Sequence, residues 1–269
     1  MPNSFSPRPI TQIQGDEIST VMLELIPEEP LSIRVQGQPY SVVMRTPGDE
    51  PAHVAGFCLA EGILDRPGDI ETIASCEGET TNVVTLTVTA ARLKAITRVL
   101  ERRGFVSQTS CGICGKELVE DLSQMVQPLP EGPFIDLEKA VHCLETLKDR
   151  QVLYRETRAS HAAALYSRNF ELLAFAEDVG RHNALDKAIG KLFLEDVLHR
   201  AEVLILSSRI SYELIQKAAR AKIPFILAAS RPTALAVDLA ASLNMTLASP
   251  AKGSGINVFT GLQRLAEKI

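Results

Sequence analysis

Several features that place a chain in a familiar class are absent from these 269 residues. There is no tryptophan, and aromatic residues make up only 5% of the chain, so its core must be largely aliphatic. No apolar run approaches the roughly 20 residues that cross a bilayer, and residues 1–9 are polar and proline-rich, unlike a secretory signal segment. We therefore expect a cytoplasmic protein that does not enter a membrane.

A basic excess is also missing, because the formal net charge is -5. Proteins that bind nucleic acids generally carry a strong positive bias, so we expect no nucleic-acid partner. Local basic pockets for small anions are compatible with this overall charge. The length is sufficient for one large domain or two smaller ones.

The cysteines do not form the dense, even set of a secreted disulfide framework, since there are only five of them. That pattern indicates a reducing compartment. There, two cysteines three positions apart more often serve redox, metal or sulfur chemistry than a structural bridge.

The first half of the chain predicts an α+β arrangement behind a loose tail of about fifteen residues. Apolar residues that alternate with polar ones, many of them β-branched, predict strands at 20–25, 31–35, 40–44, 70–75 and 83–89. Helical spacing predicts helices at 51–61 and 90–103.

The proline-rich stretch at 127–133 predicts a linker, and we place a domain boundary there. Beyond it, short apolar strands alternate with helices predicted at 136–150, 181–194, 212–221 and 233–243. This alternation is typical of a parallel or mixed sheet with helices on both faces. We predict an α/β protein with a smaller α+β domain at 16–127 and an α/β domain at 134–269.

Two loops at the ends of buried strands have the composition of an anion site. Arg209 follows the strand predicted at 203–206, and Ser230, Arg231 and Thr233 follow the strand at 224–228. Strand carboxyl ends are where ligands bind in open α/β sheets. Helix amino termini and arginine both suit phosphate. Alternatively, the hydroxyls only cap helices and the arginines are solvated.

Two further loops are candidates for the same ligand. One, at 177–183, concentrates charged and amide groups around a glycine and contributes Arg181 and His182. Its alternative interpretation is a capping turn, with Asp178 as the cap and Asp186 and Lys187 on a solvated face. The other is a flexible basic loop, whose residues are Pro250, Ala251, Lys252, Gly253, Ser254 and Gly255.

Cys111 and Cys114 lie in a polar, glycine-flanked segment that we interpret as a loop. A zinc site would need two more ligands, and no second CxxC or HxxxH is present. A thioredoxin-like pair should begin a helix, and a pair of buried thiols should have apolar neighbours. The fourth interpretation is an accessible nucleophile that accepts a sulfane sulfur as a persulfide, with Lys116 helping to stabilise the thiolate. Cys58 and Cys76 are expected to be inert.

Taken together, five blocks resemble the FdhD family of formate dehydrogenase accessory sulfurtransferases. In chain order they are Met44 to Asp49, Ala55 to Ile63, Cys111 to Gly115, Asp178 to Lys187 and Ser230 to Ala236. The resemblance extends from about residue 23 to 260. Two of these blocks, which read CGxCG and DVGRHNAxDK, are highly specific when they occur together.

The resemblance implies a cytidine-deaminase-like, three-layer α/β/α carboxyl-terminal domain and commonly a homodimer. It implies that sulfur comes from a cysteine desulfurase, is carried as a persulfide on Cys111 with Cys114 assisting, and passes to the molybdenum bis(guanine dinucleotide) cofactor. That cofactor is a substrate here, no resident metal is expected, and formate dehydrogenase is the recipient. The cofactor-binding loop of the family corresponds to Pro250 to Gly255.

This chain departs from the family at that loop, where Lys252 stands in a stretch that usually carries an aromatic residue and an arginine. Lysine binds phosphate as a point charge without the bidentate fork of arginine. The zinc-deaminase signature is also missing, so deaminase chemistry does not follow from the fold. The competing hypothesis is a non-catalytic nucleotide-binding chaperone whose cysteines hold a metal or serve a structural role.

Overall fold

The computed structural model of the chain describes residues 5–75, 82–101, 126–132 and 134–265. Its first elements are β1 (Ser6–Gln14) and β2 (Glu17–Leu25), which pair as an antiparallel hairpin. Gly15 supplies the positive φ of 62° that the two-residue turn needs. The expectation of a loose tail over the first fifteen residues is therefore wrong for 6–14. The prolines at 7 and 9 obscured a strand that lies in a free two-stranded ribbon, where proline is tolerated.

A four-stranded sheet follows, in the order β4-β3-β6-β5. Its strands are β3 (Glu29–Val35), β4 (Gln38–Arg45), β5 (Ile70–Ser75) and β6 (Val83–Val88). The helix α1 (Glu50–Ala60) covers one face, where alternate residues of β3 and β6 are fully buried. A 3-10 turn at Pro67–Asp69 leads into β5.

The helix predicted at 90–103 is two short helices, α2 (Ala90–Ala95) and α3 (Thr97–Glu101), as far as the structure describes it. The break lies at Ile96, a buried residue that ends α2. The hydroxyl of Thr97 donates to the carbonyl oxygens of Leu93 and Lys94 at 3.3 and 3.4 Å. Such local bonds compete with a regular helix.

The second half contains the larger sheet and most of the helices. The helices are α4 (Leu137–Glu145), α5 (Leu147–Arg150), α6 (Val152–Thr157), α7 (Arg181–Leu194), α8 (Tyr212–Arg220) and α9 (Ala234–Ser242). The strands are β7 (His161–Tyr166), β8 (Leu172–Asp178), β9 (Val203–Leu206), β10 (Phe225–Ala228), β11 (Thr246–Pro250) and β12 (Ile256–Thr260). Short 3-10 turns lie at Leu198–Arg200 and Leu262–Arg264.

The single helix predicted at 136–150 is also interrupted. Asp136 caps its start as expected, because its Oδ1 accepts the backbone N–H of Lys139 at 3.1 Å. The interruption comes at Thr146, whose hydroxyl donates to the carbonyl of His142 at 2.9 Å. The helix α6, which follows directly, was not anticipated.

The large sheet is mixed and has the order β12-β11-β10-β9-β7-β8. β9, β10 and β11 run parallel, while β7 and β12 run against them. Residues that alternate along β7, β9 and β10 enter two separate cores, one shared with α7 to α9 and the other with α4 and α5. This confirms the expected three-layer α/β/α arrangement around a mixed sheet.

The helices α1 and α7 cross with their backbones in contact. A Cβ at Gly56 would overlap the carbonyl oxygen of Asp186, and one at Gly190 would overlap that of Ala52. The buried core that surrounds this crossing is continuous from the four-stranded sheet to the large sheet. The division into 16–127 and 134–269 stays a prediction from sequence.

Candidate functional site

The strand directions bring the candidate loops to one edge of the large sheet. β8 is antiparallel to β7, which is antiparallel to β9, so β8 runs with β9, β10 and β11. The carboxyl ends of these four strands therefore share one edge. The loops of Arg181, Arg209, Arg231 and Lys252 follow these ends. We call this edge the strand-end edge.

The loops after β9 and β10 are joined directly. Ile210 and Pro232 form a parallel bridge, and the N–H of Thr233 donates to the carbonyl of Ile210 at 3.0 Å. Thr233 also caps α9, since its hydroxyl accepts the N–H of Ala236 at 3.3 Å. Arg209 and Arg231 are exposed, as is Ser230. The alternative interpretation is therefore confirmed for Thr233, which caps α9, while the anion site stays a prediction.

The loop after β8 meets the loop after β9 through His182. Its Nε2 lies 3.1 Å from the hydroxyl oxygen of Ser211 and 3.2 Å from Oε2 of Glu213. The hydrogen bond from His182 is the main reason that the pKa of Glu213 is lowered to about 2, with burial acting against it. Arg181 is half-buried, and its Nε has no hydrogen-bond partner among the residues that the structure describes.

The loop after β11 is a short exposed turn. The N–H of Ala251 donates to the carbonyl of Gly255 at 3.0 Å, which closes the turn. Gly253 and Gly255 adopt φ values of 81° and 129°, which favour glycine. Lys252 precedes Gly253 in this turn, and its side chain is exposed, as are Pro250 and Ser254. Its location at the strand-end edge is what a phosphate-contacting residue needs.

A cavity of about 480 Å³ opens at this edge, on the side of α4 to α6. Its wall includes residues that sequence reasoning missed. The side chain of Arg158 lies over the ring of Tyr154, 5.5 Å from its centroid. Burial, followed by the charges of Arg181 and His182, lowers the pKa of His161. The wall adjoins the candidate loops, because Ser207 and Ala229, which directly follow β9 and β10, also line it. The polar lining residues are Lys148, Gln151, Tyr154, Arg158, Ser160, His161 and Ser207.

Much of the block 178–187 is structural. The Oδ2 of Asp178 accepts the Nζ of Lys187 at 2.7 Å and the backbone N–H of Thr46 at 3.1 Å. Its Oδ1 accepts the N–H of Gly180 and the amide of Asn183. These four contacts tie the end of β8 to the start and middle of α7 and to Thr46, which directly follows β4.

The alternative that placed Asp186 and Lys187 on a solvated face is wrong. Lys187 is 2% exposed and Asp186 is 1% exposed. Asp186 receives two hydrogen bonds of 2.8 Å from the Nζ of Lys217 on α8. Both carboxylates of the block are thus paired with lysines inside the core, as buried charges require.

Cys111 and Cys114 lie outside the described residues, as does Cys76. The residues that directly follow the cysteine segment 102–125 are held at the edge of the large sheet opposite the candidate loops. The N–H of Leu129 donates to the carbonyl of Leu243, just after α9, and the carbonyl of Leu129 accepts the amide of Asn244. Before the segment, Arg92 of α2 pairs with Asp65, which also binds Arg220 at the end of α8.

The two thiols that are described are poor nucleophiles. Cys58 is fully buried in α1, and burial raises its pKa well above the usual value. Cys143 of α4 is buried as well, and its pKa is also raised, chiefly by burial. This agrees with the expectation that Cys58 takes no part in chemistry.

The FdhD/NarQ family model matches residues 26–266. The chain belongs to the FdhD/NarQ family. Two relatives named sulfur carrier protein FdhD are each 38% identical to it over 270 residues. That from Streptomyces coelicolor aligns over 96% of this chain and 95% of its own length, and that from Mycobacterium tuberculosis over 96% and 97%.

A solved structure supports the same family fold. It is a crystal structure of a protein from Desulfotalea psychrophila that is described as a formate dehydrogenase accessory protein. The two chains are 22% identical, the TM-score is 0.75, and the match covers 97% of this chain and 99% of the other. Within the described ranges, no helix of this FdhD/NarQ chain is both long and apolar enough to span a bilayer.

Proposed function

We propose that this protein is a sulfurtransferase that supplies sulfur to a molybdenum cofactor. It accepts persulfide sulfur from a cysteine desulfurase on Cys111, with Cys114 assisting. It then delivers that sulfur to the molybdenum bis(guanine dinucleotide) cofactor, its substrate, on behalf of formate dehydrogenase in the cytoplasm. The observation that carries the proposal is the gathering of four cationic loops at one edge of the large sheet.

Phosphate binding is what this edge offers. Arg181, Arg209, Arg231 and Lys252 follow four adjacent or near-adjacent strands, although the chain as a whole has a net charge of -5. The amino termini of α7, α8 and α9 point to the same edge and add the partial positive charge of the helix dipole. Diphosphate groups of a guanine dinucleotide would thus meet both fixed and partial positive charge.

The cavity beside these loops suits the nucleoside portion. Its volume of about 480 Å³ lies within the range of roughly 300–1,000 Å³ typical of small-molecule sites. Tyr154 with Arg158 offers a flat surface for stacking, and Gln151 and Ser160 offer hydrogen bonds. His161 then lies between the cavity and the phosphate-binding loops. These residues extend the candidate site beyond the loops that the sequence indicated.

The sulfur steps use the two thiols in turn. The Cys111 thiolate attacks the terminal sulfur of the donor persulfide, which forms the Cys111 persulfide and frees the donor thiolate. Attack of the Cys114 thiolate on the Sγ of Cys111 then releases the terminal sulfur as hydrosulfide and leaves a Cys111–Cys114 disulfide. The sulfane sulfur is reduced as the two thiols are oxidised, and a dithiol reductant restores them.

The chain is long enough for this route. The described residues that flank 102–125 are held at the edge opposite the candidate loops. A segment of that length spans at most about 80 Å when fully extended. Chain length therefore allows the thiols to reach either a donor protein or the strand-end edge.

Calorimetric titration with guanosine diphosphate tests the binding half of the proposal. We expect the Arg209→Ala/Arg231→Ala protein to bind at least about tenfold more weakly than wild type, because two charge-assisted phosphate contacts are lost. Arg168→Ala is the matched control, since this exposed arginine lies in the β7–β8 turn at the opposite edge. Equal affinity of the double variant and the wild type would contradict the site.

Elemental analysis addresses the chaperone hypothesis separately. Stoichiometric zinc in the wild type that is lost in both Cys111→Ala and Cys114→Ala would favour a metal-binding role for the thiols. Persulfide formation on Cys111 without bound zinc supports the transfer role.

A further inference from the structure

The side chain of His182 joins the amino termini of α7 and α8. Its Nε2 lies 3.1 Å from the hydroxyl oxygen of Ser211 and 3.2 Å from Oε2 of Glu213. The hydroxyl of Ser211 donates to the same Oε2 at 3.0 Å, so its proton is already used. Both neighbours therefore present only acceptor oxygens to Nε2, and the proton of a neutral His182 ring lies on that nitrogen.

The other ring nitrogen of His182 is left open. Its Nδ1 has no hydrogen-bond partner among the residues that the structure describes, and the side chain is 32% exposed. In the neutral ring this nitrogen carries a lone pair, which repels an anion, whereas protonation turns it into a donor. Nδ1 can therefore bind an anion only when the ring has become an imidazolium.

The same side chain lies where two helix amino termini have no side-chain cap. The residue before α7 is Gly180, which has no side chain to cap the helix. Ser211 precedes α8, but its hydroxyl donates to the side chain of Glu213 and makes no capping bond. The helix α9 differs, since Thr233 caps it. Uncapped amino termini offer backbone N–H groups and partial positive charge to a phosphate.

One carboxylate beside the ring has no lysine or arginine as a partner. The charged and titratable groups of this region are His161 of β7, Asp178 of β8, Arg181, Asp186 and Lys187 of α7, and Glu213 and Lys217 of α8. Asp178 and Asp186 are each paired with a buried lysine. For Glu213, no lysine or arginine lies within ion-pair distance in the described part of the chain. Its pKa of about 2 keeps it ionised at neutral pH.

We propose that His182 is a proton-dependent phosphate contact, and that Glu213 and Ser211 are the residues that position its ring. When a nucleotide phosphate reaches the starts of α7 and α8, Nδ1 takes up one proton from solvent and donates a hydrogen bond to a phosphate oxygen. The imidazolium then lies between two anions, the carboxylate and the phosphate, and offsets their repulsion. The inference rests on the proposed function, because it takes the phosphate of the nucleotide as the ligand.

Proton uptake on binding makes the affinity depend on pH. Because the bound state holds more protons than the free state, phosphate affinity should fall as the pH rises through the range in which imidazoles lose their proton. The charge of Glu213 favours the imidazolium, so removing that charge should move the fall to lower pH. A purely structural role of Glu213 would instead change the affinity equally at every pH.

Nitrogen-15 NMR of the histidine rings tests the proton position without any nucleotide. The chain has five histidines, and the signal that His182→Gln removes is the one of interest. After titration to the neutral ring, we expect the proton on Nε2, because the only oxygens beside that nitrogen are acceptors. A neutral ring with its proton on Nδ1 would contradict the inference whether or not a nucleotide binds.

Calorimetric titration with guanosine diphosphate at pH 6.5, 7.5 and 8.5 tests the coupling. We expect the ratio of the wild-type affinity to the His182→Gln affinity to fall at least about threefold over this range. The ratio cancels the titration of the nucleotide itself. In the Glu213→Gln background the same fall should lie at lower pH. His199→Gln, an exposed histidine in the 3-10 turn at the opposite edge, is the matched control and should keep the wild-type profile.

Failure of this inference and failure of the proposed function give different results. Nucleotide binding that Arg209→Ala/Arg231→Ala weakens, but whose pH profile is the same in wild type and His182→Gln, would overturn this inference alone. A profile that Glu213→Gln does not move would remove Glu213 from the positioning role. No binding of guanosine diphosphate by the wild type would overturn the phosphate site and, with it, the role of His182.

Discussion

At the scale of single residues, charged side chains of the second half serve two separate roles. Asp178, Asp186, Lys187 and Lys217 form ion pairs inside the core, where each charge has its partner. Arg209, Arg231 and Lys252 lie on the surface at the strand-end edge. The sequence correctly predicted that the second set lies in loops that follow strands. The alternative that put Asp186 and Lys187 on a solvated face is wrong, because the sequence does not show that Asp186 pairs with Lys217 of α8 and Lys187 with Asp178 of β8.

Glu213 belongs to neither group, since it is half-buried and bonded to His182 and Ser211. These bonds lower the pKa of Glu213 from the ordinary 4.5 to about 2, and the bond from His182 has the largest effect. A carboxyl with a lowered folded pKa stabilises the fold above its unfolded value and loses that contribution as pH falls toward its folded value. We expect the stability difference between wild type and Glu213→Gln to be full above pH 4.5 and to shrink steadily below it.

Urea unfolding at pH 6, 5, 4 and 3 measures this difference, with Glu195→Gln, an exposed carboxyl at the end of α7, as the control. A gap between wild type and Glu213→Gln that stays constant from pH 6 to pH 3 would show that the carboxylate is not held in this way.

At the scale of elements, the crossing of α1 with α7 determines how the candidate site is framed. Helix axes this close require glycine at the contact, and the chain has one on each side, Gly56 and Gly190. The same α7 presents Arg181 and His182 at its amino terminus. The position of these two side chains therefore depends on a contact made by the middle of the helix.

We expect Gly190→Ala to destabilise the protein by at least about 3 kcal/mol, because the added methyl group overlaps a backbone carbonyl that cannot move without shifting α1. Thermal unfolding followed by circular dichroism measures the effect. Gly68→Ala is the matched control, since nothing lies within 4 Å of a Cβ there, and it should change stability by less than about 0.5 kcal/mol. Equal melting temperatures for the two variants would contradict the helix contact.

Elements with a clear apolar pattern were predictable from sequence. Element boundaries where a side-chain hydroxyl competes for backbone hydrogen bonds were not. The strand β9 and the helix α7 have the predicted bounds. A continuous apolar run defines β9, and Gly180 directly precedes α7. At the breaks at Ile96 and Thr146, threonine hydroxyls bond to helix carbonyls and so compete with the regular helix. The hairpin strand β1 was hidden by its prolines.

At the scale of the whole molecule, the sheet order decides what the sequence could reveal of the site. The loops of Arg209 and Arg231 were predicted to share an edge because each follows a buried strand, and strand carboxyl ends share an edge when the strands are parallel. Ser160 and His161 were missed because they lie at the start of β7, which runs the other way and so begins at that same edge. Strand direction is set by packing between distant segments, which one sequence does not display.

The overall arrangement places two features of the chain at opposite edges of the large sheet. The strand-end edge gathers cations and a cavity, while the described residues flanking the cysteine segment are held at the opposite edge. Under the proposed sulfur-transfer function, the thiols meet a donor protein away from the candidate loops and the acceptor at those loops.

Intact-protein mass spectrometry after incubation with a cysteine desulfurase and cysteine tests the central claim most directly. The account predicts a reducible gain of about 32 Da, one sulfur atom, in the wild type. It predicts the same gain in Cys143→Ala, whose thiol is buried, and none in Cys111→Ala. A Cys111→Ala protein that gains this sulfur as fully as wild type would contradict the account.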